Sequence, residues 1–127
     1  MLRVLNFGHP FTDDQLDQLR QDFDQFEVVD FSTHFDIQAE LAPQIERLLL
    51  GRMTPQEWAT TPILVNPPGL APAAILVMVA IHGLAGYFPP IIRLTKADSP
   101  VGVTVFRIAE QIDLDLFRSH MRSLRHQ

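Results

Sequence analysis

A chain of 127 residues fits one domain, and 46% apolar against 20% charged residues is a globular balance that excludes a disordered chain. The absence of cysteine excludes disulfides and zinc–thiolate sites and agrees with a reducing, cytoplasmic setting. A net charge of −5 disfavours general binding along duplex DNA. It leaves room for one locally positive pocket, because cell-like salt screens each exposed charge within about 8 Å.

The opening "MLRVLNFGHP" has no long apolar stretch behind a basic start and does not read as a signal peptide. Residues 2–7 read as a short apolar strand, broken by "GHPF". Thr12 then caps a helix, with Gln15 three positions on as the second half of a capping box. Leu16, Leu19, Phe23 and Phe26 recur at three, four and three, which is one helix face. "EVVDF" (27–31) reads as a second strand.

Leu41, Ile45, Leu48 and Leu49 form the apolar face of a second helix that ends near Gly51. "TPQEW" repeats the capping logic over a single short turn, with Trp58 directed inward. "PILVN" (62–66) is a third strand, residues 70–86 a long helix, "PIIRLT" (90–95) a fourth strand and "VTVFRI" (103–108) an antiparallel edge strand. Asp113 caps a last helix with Leu114, Phe117, Met121 and Leu124 on one face. The order βαβαβαββα predicts one Rossmann-like α/β domain over residues 1–127, a mostly parallel sheet covered by helices on both sides.

Residues 70–88 contain no Asp, Glu, Lys or Arg, so length and composition alone meet the criterion for a membrane span. Three features oppose it: His82 lies inside the run, no Lys or Arg cluster flanks it, and strands precede and follow it at βαβ spacing. A helix packed on a sheet and covered again by a neighbouring subunit is apolar nearly all round. The expectation is therefore no membrane partner and a homodimer, or a higher homo-oligomer, assembled through this helix.

Ligands of open parallel sheets bind beyond the carboxyl ends of strands. Strand one ends "NFGHP" and strand three "NPPGLAP"; in a sheet order 2-1-3-4 these loops are neighbours. The carboxamides of Asn6 and Asn66 can read a base edge or a sugar hydroxyl. Gly8 and Gly69 carry no side-chain bulk, Pro67 and Pro68 stiffen the turn, and the helix starting near Leu70 directs free amides at an anion. The same loop can equally be a plain strand-to-helix turn with Asn66 bonded to backbone. His9 is a candidate proton carrier or an exposed loop residue. Arg93 reaches an anion or pairs with an acid such as Glu110, and Thr95 and Lys96 stand at the end of the same strand. Ser32 and Thr33 precede His34 in a polar loop that could touch a ligand. Arg118, His120, Arg122, Arg125 and His126 complement the dipole of the last helix. There is no metal-ligand spacing, no Ser-centred elbow and no Walker or dinucleotide glycine motif, so no cofactor is called for.

At "LNFGHPFTDDQLDQL" and "ILVNPPGLAPAAILVMVAIHGLAGYFPPIIRL" the chain resembles the CRISPR-associated Csx-fifteen family, small proteins encoded beside type III CRISPR systems. The resemblance implies a relationship to CARF domains: Rossmann-like homodimers that bind cyclic oligoadenylate, and either cleave the ring or change its availability. By position, Asn6, Gly8, His9, Asn66, Pro67, Pro68 and Gly69 would line the site. The lysine and serine pairs of better-known ring nucleases have no match here, so the resemblance assigns no catalytic residue. His9 is the best available proton carrier on chemical grounds.

Overall fold

The computed structural model describes every residue except Ser32, so the expectation of a ligand contact at Ser32 lies outside the described residues. The elements are β1 (Leu2–Asn6), α1 (Asp13–Asp22), β2 (Phe26–Asp30), α2 (Leu41–Leu50), α3 (Pro55–Thr60), β3 (Ile63–Asn66), α4 (Ala71–Ala85), β4 (Ile91–Ala97), β5 (Val105–Ile112) and α5 (Leu114–Leu124). The strands form one sheet in the order β2-β1-β3-β4-β5. The first four run parallel and β5 pairs antiparallel to β4. This is the expected Rossmann-like arrangement, with the chain reversing its winding direction between β1 and β3.

Each face of the sheet carries its own core. On one face α2, α3 and α4 bury Leu5, Val65, Ile45, Leu49, Val77 and Ile81, with Trp58 and Met53 closing the end. Trp58 is fully enclosed, and its Nε1 donates to the carbonyl of Leu49 at 3.2 Å, so the one polar atom of that side chain is satisfied. The other face packs Val4, Leu64, Ile92 and Ile108 against Leu19 of α1. Both predicted capping boxes are present: Thr12 with Gln15 on α1, and Thr54 with Glu57 on α3. The second heads a six-residue helix rather than the single turn expected, because Pro55 and the box together stabilise its first turn.

The expected edge strand 103–108 instead runs from Val105 to Ile112. Gly102, with φ of 73°, turns the hairpin and leaves Val101 and Val103 outside the ladder. A register shift between Arg93 and Leu94 marks a β-bulge. The outer strand is not left bare. Gln18 of α1 donates through Nε2 to the carbonyl of Ile108 at 3.0 Å and accepts from its amide at 2.8 Å. Gln15 donates to the carbonyl of Phe106 at 2.9 Å. These carboxamides take the place of a neighbouring strand and blunt an edge that would otherwise invite pairing. They also tether the β4–β5 hairpin to the start of α1.

No helix among the described residues is long and apolar enough to cross a membrane. Helix α4 spans 15 residues and stops where Gly86 turns left-handed at φ of 87°. Along α4, Ala73, Val77 and Ile81 are buried at four-residue spacing, whereas Ile75 and Val79 on the opposite side are exposed. His82 is half-buried and packs its ring against Phe88, just beyond α4, with centroids 4.3 Å apart. Helix α5 departs from expectation. Its apolar stripe is present, but no residue of α5 is buried. Periodicity identifies which face of a helix is apolar; it does not say that the same chain covers it.

Candidate ligand-binding crevice

Three parallel strands end level with one another. Asn6, the last residue of β1, is in register with Asp30 of β2 on one side and Asn66 of β3 on the other. All three side chains are polar, and they are joined. Asn6 Nδ2 donates to Asp30 Oδ1 at 3.0 Å and to the carbonyl of His9 at 2.9 Å. Asn6 Oδ1 accepts from the amide of Gly8 at 3.0 Å and from Asn66 Nδ2 at 2.9 Å. The side chain thus makes two donor and two acceptor contacts inside the protein, which is the full capacity of a carboxamide.

Asn6 is 0% exposed. The expectation that it reads a ligand directly is corrected: with its hydrogen bonds committed it holds the loop, and an incoming group would have to break one of them. What Asn6 does is clamp Gly8 and His9 over the end of β1 and fix the orientation of Asn66. Gly8 is needed for a steric reason. A Cβ there would lie 2.9 Å from Asn66 Nδ2, inside contact distance of an atom already held in a hydrogen bond. Phe7 and Phe31 stack beneath this cluster with ring centroids 4.3 Å apart, and the amide of Phe31 donates to the carbonyl of Asn6 at 2.9 Å.

Above the strand ends opens a crevice of 660 Å³. Gly8 and His9 come from the β1–α1 loop, Asn66, Pro67 and Gly69 from the β3–α4 loop, and the third wall is the β4–β5 hairpin, including Asp98, Phe106 and Arg107. The two loops that the sequence pairs therefore do meet, across the switch point of the sheet. Asn66 is only 5% exposed yet lines the crevice, and its Oδ1 accepts no hydrogen bond from a described residue. Leu70 caps α4 with no side-chain hydrogen bond and Pro72 lacks an amide hydrogen; Ala73 is fully buried and neither it nor Ala71 lines the crevice, so the expected aim of the α4 amides at a ligand is not met by the lining. A Cβ at Gly69 would meet nothing within 4 Å. The fold does not require glycine at that position; the free space belongs to the crevice.

His9 is exposed and shared between this crevice and an adjoining one of 360 Å³ that also takes in Thr33 and His34. No described side chain hydrogen-bonds its imidazole, so the structure orients this residue through its backbone alone.

Four expected contacts fall elsewhere. Pro68 is buried beside the loop, and Leu70 is exposed outside the crevice lining. Arg93 takes the other option open to it: its guanidinium pairs with Glu110 at 2.8 Å on the neighbouring strand. Leu94 and Ala97 are the β4 residues that line the crevice, and Arg93 and Thr95 do not. The residues missed by sequence reasoning are Asp30, Asp98, Phe106 and Arg107. An aromatic followed by an arginine in "VTVFRI" was the available signal. It points to the crevice only once Gln15 has tied the hairpin to α1. The lining is electrically mixed, with Arg107 against the carboxylates of Asp14 and Asp98. Among the described residues no group of three His, Cys, Asp or Glu is placed to hold a metal ion.

No protein-family model, curated protein or solved structure matches this chain.

Proposed function

We propose that the crevice binds cyclic oligoadenylate, with cyclic tetra-adenylate as the ring, and that two copies of the chain grip it together. The observation that carries this reading is the in-register pair Asn6–Asn66, which presents one nearly buried carboxamide to a 660 Å³ crevice at the sheet's switch point. An adenine edge offers a donor and an acceptor, the complement of a carboxamide. Phosphate oxygens suit Arg107, which lines the crevice. The exposed ring of Phe106 is a stacking surface for a base. A four-nucleotide ring is larger than one such crevice, so a two-fold pair of chains, each holding half, matches the symmetry of the guest. The resemblance of the two loop segments to the Csx-fifteen family supplies the identity of the nucleotide.

On this reading the protein lowers the free level of the messenger of type III CRISPR antiviral defence in the cytoplasm. Sequestration needs only the crevice. Metal-independent cleavage would add attack of a ribose 2′-hydroxyl on the adjacent phosphorus. That step breaks the P–O5′ bond and leaves a cyclic phosphate on a linear product, with His9 accepting the 2′-hydroxyl proton and the departing 5′-oxygen taking a proton from water. The test is a thermal shift with cyclic tetra-adenylate, followed by incubation with labelled ring and chromatography. Binding at 100 times Kd adds about 2.7 kcal/mol of stability. No shift under a large excess overturns the reading. Linear product that vanishes in His9→Ala assigns cleavage, and intact bound ring assigns sequestration.

A second reading, a non-enzymatic interaction module assembled through residues 70–86, is favoured by the exposure of Ile75 and Val79 on α4. It predicts self-association with no response to the ring.

A further inference from the structure

We infer that α5 is an exchange arm, seating its apolar stripe in the groove between α2 and α4 of a second copy of this chain. Two unpartnered surfaces on one molecule carry the inference. The first is α5 itself. Phe117, Met121 and Leu124 are exposed at four- and three-residue spacing, and nothing in α5 is buried. An eleven-residue helix is marginal in water without packing, so this one needs a partner to persist. The second is an apolar groove of 370 Å³, walled by Leu49 and Leu50 of α2 and by Leu76, Val79 and Gly83 of α4. Gly83 has open space where a Cβ would be, which lets a guest helix approach closely.

Charge pairs the two surfaces. From Leu116 onward the chain has three arginines and no carboxylate, whereas the rest has seven basic and fifteen acidic side chains. Arg118, Arg122 and Arg125 fall to one side of the apolar stripe, and Glu46 lines the groove, while α4 contains no Asp, Glu, Lys or Arg. A basic, apolar-faced arm on an acidic body fits a second acidic body. A lipid surface would account for the arm and leave the groove uncovered. Size agrees as well. A standard interface takes about 800 Å² from each partner. Leu50, Ile75 and Val79 are too few to supply that, and two reciprocal arms add Phe117, Met121 and Leu124 twice over. The inference rests on the two-copy part of the proposed function and names the surfaces that meet; it does not depend on the ligand.

The experiment is light scattering on the full, ligand-free chain. Wild type should have twice the mass of the 14.4 kDa chain. Phe117→Glu with Met121→Glu, and separately Val79→Glu with Leu50→Glu, should each give a folded monomer whose helical circular dichroism falls by no more than the share of α5, since all four side chains are exposed and only α5 depends on the partner. Mixing the two variants restores one intact arm–groove contact, and half or more of the protein should return to dimer mass. Wild type that is monomeric, an arm variant that stays dimeric, or a mixture that stays monomeric each overturns the exchange. An arm variant that stays dimeric would mean that groove pairs with groove, and a groove variant that stays dimeric, which equally overturns the exchange, would mean that arm pairs with arm. Flotation of wild type with phosphatidylserine vesicles, lost in the arm variant while the protein is monomeric, overturns it in favour of a lipid surface. Ring binding is measured separately by thermal shift, so loss of the dimer and loss of the ligand are distinguishable.

Discussion

Asn66 donates from Nδ2 to Asn6 Oδ1 at 2.9 Å, joining two residues 60 positions apart at the level ends of adjacent parallel strands. The bond makes one asparagine structural and leaves the other at the edge of a crevice. Asn6→Ala should therefore cost about 2–4 kcal/mol in urea unfolding, because it strands the amide of Gly8 and the carboxamide of Asn66. Asn6→Asp should be no milder, since it removes the donor and sets a carboxylate against Asp30 Oδ1. Asn66→Ala should cost less and act mainly on binding.

The two loop glycines should behave oppositely. Gly8→Ala forces a methyl to within 2.9 Å of Asn66 Nδ2 and should destabilise by about 1–2 kcal/mol. Adding Asn66→Ala should recover part of that, a coupling readable in a double-mutant cycle. Gly69→Ala meets nothing within 4 Å and should leave the unfolding midpoint unchanged. If a phosphate approaches that backbone, the same change should weaken ring affinity about tenfold or more.

Much of this was legible in the sequence. The alternation of apolar runs and the two capping boxes predicted the element order, and the matching Asn–Gly–Pro endings of strands one and three predicted that their loops meet. The division of labour between the two asparagines was not legible, because it depends on Asp30, which becomes relevant only in register with Asn6. Nor was the third wall. Gln15 reads from sequence as half of a capping box, and only the fold shows it also holding the Phe106 carbonyl 91 residues away. Local patterns report caps and faces; contacts between side chains distant in sequence require the folded chain. The unburied α5 is the converse case, a correct pattern whose partner lies outside its own domain on the inference drawn above.

The crevice charges give a signed test. Arg107→Ala should weaken ring binding about fivefold, and more steeply at low salt. Asp98→Asn should strengthen it by about two- to fivefold, since it removes a like charge from the wall. Equal responses to both changes would place the phosphates elsewhere.

Away from the crevice, Arg3 bridges Glu57 at 2.8 Å and Glu27 at its other side. The hydrogen bond from Arg3, joined by the backbone of Thr54, holds the Glu57 carboxyl below the ordinary glutamate value of 4.5, and hydrogen bonds to both glutamates hold the Arg3 guanidinium above its usual range. A depressed folded pKa contributes stability that is present above 4.5 and is lost as pH falls through the lower folded value. Chemical denaturation as a function of pH should show this acid-side loss in wild type and a flatter profile in Glu57→Gln. The raised Arg3 value acts only at strongly alkaline pH and leaves this acid-side profile untouched.

Isothermal titration of the chain with cyclic tetra-adenylate tests the central claim most directly. The account predicts saturable binding at one ring per two chains, abolished or weakened at least tenfold in Asn66→Ala while that variant stays folded. Heat indistinguishable from dilution, or full affinity in folded Asn66→Ala, would contradict it.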